Sequence, residues 1–233
     1  MNCKQITNNA LKQLPEKLVS LNINFCTQMT DQGMKYLSER TKGLKFLKMV
    51  SLSRVNDEGL QYLSTLKTLK SLNLTNCTNL TEKGLSFLQN TGLKHLSLTN
   101  LKLKSGLDKL PSLLKSLDLT NTPFNDDSLK LLKNFKFLSH LDLSYCYKMN
   151  GESLSKLPLL TSLSLFGWKN LEDAHLKGIP SSLEFLDLSY CELITENSFK
   201  FLPFTSLKTL ILRECKAIKN KKKKNISHCK IIF

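Results

Sequence analysis

Seven cysteines and four histidines are the residues of this 233-residue chain whose types could act as nucleophiles, metal ligands or proton carriers. Their spacing argues for a quieter use. Six of the cysteines, Cys3, Cys26, Cys77, Cys146, Cys191 and Cys215, stand at one position of a recurring pattern. The C-x-x-C pairs of a zinc or redox site are missing from that pattern. A small, weakly polar thiol suits a buried position, so a ladder of reduced core thiols is expected, in a reducing compartment. His95 and His140 share another recurring position, with Ser116 between them. Two repeats separate the rings by about 10 Å at ordinary strand spacing, too far for one metal ion. No carboxylate orients either ring in sequence. No catalytic residue, metal site or cofactor site is therefore read, and the chain is expected not to be an enzyme.

The elements that position these residues follow from the leucines. Segment-opening leucines stand at Leu18, Leu44, Leu69, Leu93, Leu114, Leu138, Leu160, Leu183 and Leu207, at intervals of 21 to 26 residues. Leu69–Cys77, Leu138–Cys146 and Leu183–Cys191 all read L-x-x-L-x-L-x-x-C. The alternation of leucine with polar residues is that of a short half-buried strand. After the cysteine come Met29-Thr30-Asp31, Leu80-Thr81-Glu82 and Ile194-Thr195-Glu196, which read as helix starts with an acid near the positive end of the dipole. Apolar pairs three apart follow, such as Leu60 with Leu63 and Leu85 with Leu88. Leu-Pro or Ile-Pro then closes several units, as at Leu110-Pro111 and Ile179-Pro180, because proline cannot continue a helix. One such unit cannot bury its own apolar face, whereas stacked copies bury a continuous one.

These cores, with the segments Met29–Leu37 and Leu80–Leu88, resemble the cysteine-containing class of leucine-rich repeats over residues 3–215. The resemblance implies an α/β leucine-rich repeat solenoid (a horseshoe) of about nine to ten repeats, with parallel strands on the concave face and short helices on the convex face. The class is similar to the repeat domain of F-box substrate receptors of SCF ubiquitin ligases, in which the repeats hold the substrate and an F-box docks the adaptor. An F-box has no counterpart in this sequence, so a substrate-recognition part of such a ligase is the alternative expectation. The first is a non-enzymatic module that binds a protein partner on the concave face.

The positions that face outward from the strands give the candidate surface. The column between the second and third leucines includes Asp118, Asp142 and Asp187. The column before the cysteine includes Tyr145, Gly167 and Tyr190. Early repeats read as small and polar, and the later ones add Phe166 and Phe185. The expected partner-binding residues are therefore Asp118, Asp142, Tyr145, Phe166, Phe185, Asp187 and Tyr190, a ring of carboxylates around aromatics suited to a basic or hydroxyl-rich ligand. Trp168, the only tryptophan, replaces the cysteine of its repeat and is expected to point inward.

The net charge is +15, and residues 216–233 hold seven lysines and no acid. The reading is a repeat domain over 1–215 and a lysine-rich, disordered tail over 216–233. In the body the lysines read as spread over a solvated surface, so nucleic-acid or membrane contact is expected only through the tail. Cys229 is followed by four residues rather than the three of a prenylation signal. No apolar run is long enough to cross a membrane, and residues 1–5 lack a signal-peptide core. The expected location is the cytosol or nucleus, or a host cytosol if the source is an intracellular bacterium.

Overall fold

The computed structural model describes residues 5–219 and 228–233. The chain forms two compact units, Met1–Leu117 and Asp118–Phe233, where the sequence pattern leads one to expect a single repeat domain over 1–215. Cys3 and the lysine run Lys221–Lys224 lie outside the described residues.

In the first unit, α1 (Asn8–Leu11), β1 (Ser20–Asn22), α2 (Asp31–Arg40), β2 (Phe46–Lys48), α3 (Asp57–Leu63), β3 (Ser71–Asn73), α4 (Glu82–Leu88) and β4 (His95–Ser97) alternate. β5 (Ser116–Asp118) falls at the boundary. The strands pair in parallel and in chain order, with Leu21, Leu47, Leu72 and Leu96 in register. In the second unit, α5 (Asp126–Lys130) is followed by β6 (His140–Asp142), β7 (Ser162–Ser164), β8 (Phe185–Asp187), β9 (Thr209–Ile211) and β10 (Lys230–Ile232). These also pair in parallel and in order, with Leu141, Leu163, Leu186, Leu210 and Ile231 in register.

Repeat length bears on the form of the helical side. Intervals of 24 to 26 residues hold α2, α3, α4 and α5, although the 24-residue interval from Leu183 holds a 3-10 helix at Glu196–Phe201, and the intervals of 21 to 23 hold only 3-10 turns at Leu107–Lys109, Leu154–Lys156 and Asp173–Leu176. A 3-10 turn spans a gap in fewer residues because it rises about 2.0 Å per residue rather than 1.5 Å. The leucines of the pattern form the core: Leu72, Leu74, Leu141, Leu143, Leu163, Leu165, Leu186 and Leu188 are all buried. Each fully buried leucine contributes about 1.5–3 kcal/mol.

The C-terminal segment differs from the expected disordered tail. Lys216–Ile218 completes the turn of the ninth repeat, and Ile218 is buried. Lys230–Ile232 adds β10 to the edge of β9, closed by bonds from Lys230 N–H to Lys208 C=O and from Leu212 N–H to Ile232 C=O, 2.8 and 2.7 Å long. Cys229 is buried against it. His228 stands 21 residues after Leu207, which is within the range of the repeat, so these residues supply a tenth, divergent strand. Among the described residues no helix is long and apolar enough to cross a membrane.

Candidate functional site

Three ladders of side chains explain the repeat motif, and the third builds the candidate surface. The innermost belongs to the cysteine position. The carbonyl of the third leucine position accepts the N–H of the cysteine in its own repeat, as Leu74 accepts from Cys77 at 3.0 Å and Leu188 from Cys191 at 3.2 Å. Its second lone pair faces the next repeat. There the thiol donates: Cys77 to Met49 C=O at 2.9 Å, Cys146 to Leu119 at 3.2 Å, Cys191 to Leu165 at 3.3 Å and Cys215 to Leu188 at 3.0 Å. Trp168, 2% exposed, does the same with its indole N–H, 2.6 Å from Leu143 C=O. The inward register expected for Trp168 is thus accompanied by a shared task, a donor for a buried carbonyl. Burial pushes the Cys77 and Cys146 thiols up to about 11, and Cys191 higher still. Such thiols are protonated and unreactive. Cys77, Cys146 and Cys191 form no disulfide.

The second ladder lies where the helices start. The acid that opens one helix accepts the N-terminal N–H groups of the next. Asp31 Oδ1 takes Asn56 N–H and Gly59 N–H, each at 2.9 Å. Asp57 takes Thr81 N–H at 2.9 Å and its hydroxyl at 2.5 Å, and Asp173 takes the same two groups of Thr195. Asp126 takes Asn150 and Ser153 N–H. Glu82 accepts Lys104 N–H, a bond that holds its carboxyl below the usual range. These bonds satisfy donors that a helix start leaves orphaned. They also explain the glycine of T-D-x-G-L. A Cβ on Gly59 would stand 2.6 Å from Asp31 Oδ1, so only a residue without one lets the carboxylate approach.

The third ladder is the column before the cysteine position. Phe25, Ser51, Asn76, Asn100, Asn121, Tyr145, Gly167, Tyr190 and Glu214 all have positive φ, between 52° and 74°. The left-handed conformation turns the chain out of the strand, while the N–H groups of Phe25, Ser51, Asn76, Asn121, Tyr145, Gly167 and Tyr190 still bond to the next repeat. Tyr145 bonds to Phe166 C=O, Gly167 to Ser189 and Tyr190 to Arg213, all at 2.8 Å. Asparagine and glycine suit this geometry, whereas a tyrosine or phenylalanine there is uncommon and strained.

Here the candidate residues meet. The Tyr145 and Phe166 rings lie 5.0 Å apart edge to face, and Phe166 and Tyr190 lie 5.0 Å apart, tilted. Tyr147, which the sequence reading passed over, extends the row at 5.9 Å from Tyr145. Tyr145, Tyr147 and Tyr190 are exposed, and Phe166 is half-buried between them. Gly167 makes the row possible, since a Cβ there would stand 2.8 Å from Tyr145 Cδ1. Phe185 is not brought into it. This residue opens β8, half-buried between Ser162 and Thr209 of the neighbouring strands.

The aspartates expected at the binding surface also have a local task. Asp118, Asp142 and Asp187 each accept the N–H two residues on, from Thr120, Ser144 and Ser189, at 2.8–2.9 Å. Asn22 and Asn73 do the same in the first unit. This Asx turn holds the strand end beneath the left-handed residue. In Asp142 and Asp187 the bond falls on Oδ1, which also takes the serine hydroxyl. His140 is exposed, with Nδ1 2.8 Å from the hydroxyl of its neighbour Ser139.

Residues 15–38 and 65–88 match the family model of the leucine-rich repeat. No curated protein matches the sequence. Solved structures do match in fold. The crystal structure of the yeast Rad7 and Elc1 complex is similar over 92% of this chain and 68% of that one, at 18% identity and a TM-score of 0.56. The leucine-rich repeat-containing protein LegL7 from Legionella pneumophila is similar over 99% of this chain and 78% of its own, at 16% identity and 0.56. The mouse RP105/MD-1 complex is similar at 21% identity and 0.61 over 86% of this chain, which spans only 43% of that one. With its stacked parallel strands, its leucine core and its two matched segments, the chain has the leucine-rich repeat fold.

Proposed function

We propose that the chain is a non-enzymatic recognition module that binds a protein partner through the strand face of the second unit. The observation that carries this reading is the row Tyr147–Tyr145–Phe166–Tyr190. Its members at the turn column hold strained left-handed backbone where other repeats use asparagine. Exposed aromatics in mutual contact are costly to keep in water and are the residues that dominate protein interfaces. The negative charges of Asp142 and Asp187, which precede the turn column of their repeats, favour a partner segment that brings a cation or hydroxyls to the aromatic faces. Two of the similar structures are complexes, Rad7 with Elc1 and RP105 with MD-1, which supports a binding use of such repeats. The buried thiols of Cys77, Cys146 and Cys191, none in a disulfide, support a reducing compartment, the cytosol or nucleus.

Affinity capture from eukaryotic lysate with the intact chain and a Tyr145→Ala/Phe166→Ala/Tyr190→Ala variant tests the reading. A folded variant is expected to lose a protein that the intact chain retains. An adaptor of a ubiquitin ligase among the retained proteins would select the substrate-receptor version. If the folded variant keeps every partner, the aromatic row is not the binding surface.

A further inference from the structure

The first unit carries 17 Lys and Arg against 7 Asp and Glu, a net +10 of the chain's +15. From the sequence these charges read as scattered. The register gathers four of them. Lys45, Lys70, Lys94 and Lys115 each follow the opening leucine of consecutive repeats. Their backbones form one continuous ladder: Lys70 N–H to Lys45 C=O at 2.8 Å, Lys94 to Lys70 at 2.8 Å and Lys115 to Lys94 at 2.7 Å. The lysines therefore stand in single file, one per strand, about 4.8 Å apart. Lys45, Lys94 and Lys115 are exposed, and Lys70 is half-buried with its Nζ 3.4 Å from Gly92 C=O. A Cβ on Gly92 would stand 2.7 Å from that ammonium, so the glycine leaves it room beside the next lysine.

Six of the seven acids of this unit are engaged elsewhere. Asp31, Asp57 and Glu82 accept backbone N–H groups of the following repeat. Glu58 holds the Tyr62 hydroxyl, and Glu16 and Asp108 pair with Arg40 and Lys109. None of the described salt bridges involves Lys45, Lys70 or Lys94. Like charges on neighbouring strands repel, and a bound anion relieves that repulsion.

We propose that this row binds the phosphate backbone of a single-stranded nucleic acid, without reading its sequence, at a site separate from the aromatic row. Three features favour that ligand over an acidic protein segment. The charges recur at a fixed step, as phosphates do along a strand. They are lysines, point charges that follow a backbone rather than fork onto a particular carboxylate. One residue further along, in register across β2 to β4, Phe46 and His95 are exposed beside the ammonium groups, where bases can stack. A single file of charges fits one strand rather than the two backbones of a duplex.

Fluorescence anisotropy of a labelled 15-mer of deoxythymidine, at several salt concentrations, tests this with the intact chain. Engagement of three to four phosphates gives a slope of log K against log salt near −2 to −3. The Lys45→Gln/Lys70→Gln/Lys94→Gln variant is expected to bind at least tenfold more weakly with a slope shallower by about two. Its melting temperature at low salt should equal or exceed that of the intact chain, because the repulsion is gone. A second variant with Lys221, Lys222, Lys223 and Lys224 changed to Gln should keep the slope contributed by the row. The proposal is overturned if only this second variant loses binding, if the intact chain does not bind the oligonucleotide at low salt, or if a labelled glutamate 15-mer binds as tightly as the oligonucleotide.

Discussion

At the scale of the residue, the cysteine is a hydrogen-bond donor that is small enough for the core and weakly enough solvated to be buried. Its role is defined by the carbonyl it serves, and Trp168 serves the same one with different chemistry. This has a consequence for pH. The native state holds the Cys77 and Cys146 protons up to about 11, whereas the unfolded chain releases them near 9. A raised folded value means that the native state binds more protons, so stability is intact below pH 9 and falls as pH rises towards 11. Urea midpoints at pH 8 and pH 10.5 should fall further apart in the intact chain than in a Cys77→Ala/Cys146→Ala variant. An equal drop in both would mean that other groups govern the alkaline limit. The position of the cysteines was legible in the sequence because the period repeats it. The donation across repeats was not, since it depends on which carbonyl lies opposite, and sequence carries no such distance.

At the scale of the element, the helix start is where neighbouring repeats are joined. The segment T-D-x-G-L reads in sequence as a cap followed by an acid suited to the dipole. Thr81 and Thr195 do cap their own turns, at 3.2 and 3.1 Å. The acid acts one repeat away, which local propensity cannot reveal. Gly59→Ala separates the two effects. Alanine favours a helix by about 1 kcal/mol over glycine, and an isolated helix would gain. Here the new methyl meets Asp31 and Val55, so a net loss of about 1–3 kcal/mol is expected from denaturant unfolding. A gain in stability would show that the Asp31 contact is dispensable. The aromatic row shows the same limit of legibility. The period places Tyr145, Phe166 and Tyr190 on one face, but the left-handed turn decides that they touch while Phe185, an equally apolar residue of the same face, stays apart.

At the scale of the whole molecule, each unit is sustained by neighbour-to-neighbour stacking, so its stability depends on covering the last strand. The C-terminal residues supply that cover. The interval from Leu207 to His228 and the alternation of Ile231 and Phe233 were the available signals, obscured by the lysines before them. Deleting residues 228–233 removes β10 and its pairing with β9 and should lower the unfolding midpoint. An unchanged midpoint would contradict a stabilising role for β10. The two units present different surfaces, a lysine row set by strand register in the first and an aromatic row in the second. The central claim is that this aromatic face recognises a protein. The most direct measurement is calorimetric titration of the captured partner into the intact chain and into Phe166→Ala, the variant that removes the middle ring. A loss of affinity of at least tenfold with an unchanged far-ultraviolet spectrum is the expected result, in line with the roughly 2 kcal/mol of a central aromatic anchor. Equal affinity for both chains would contradict it.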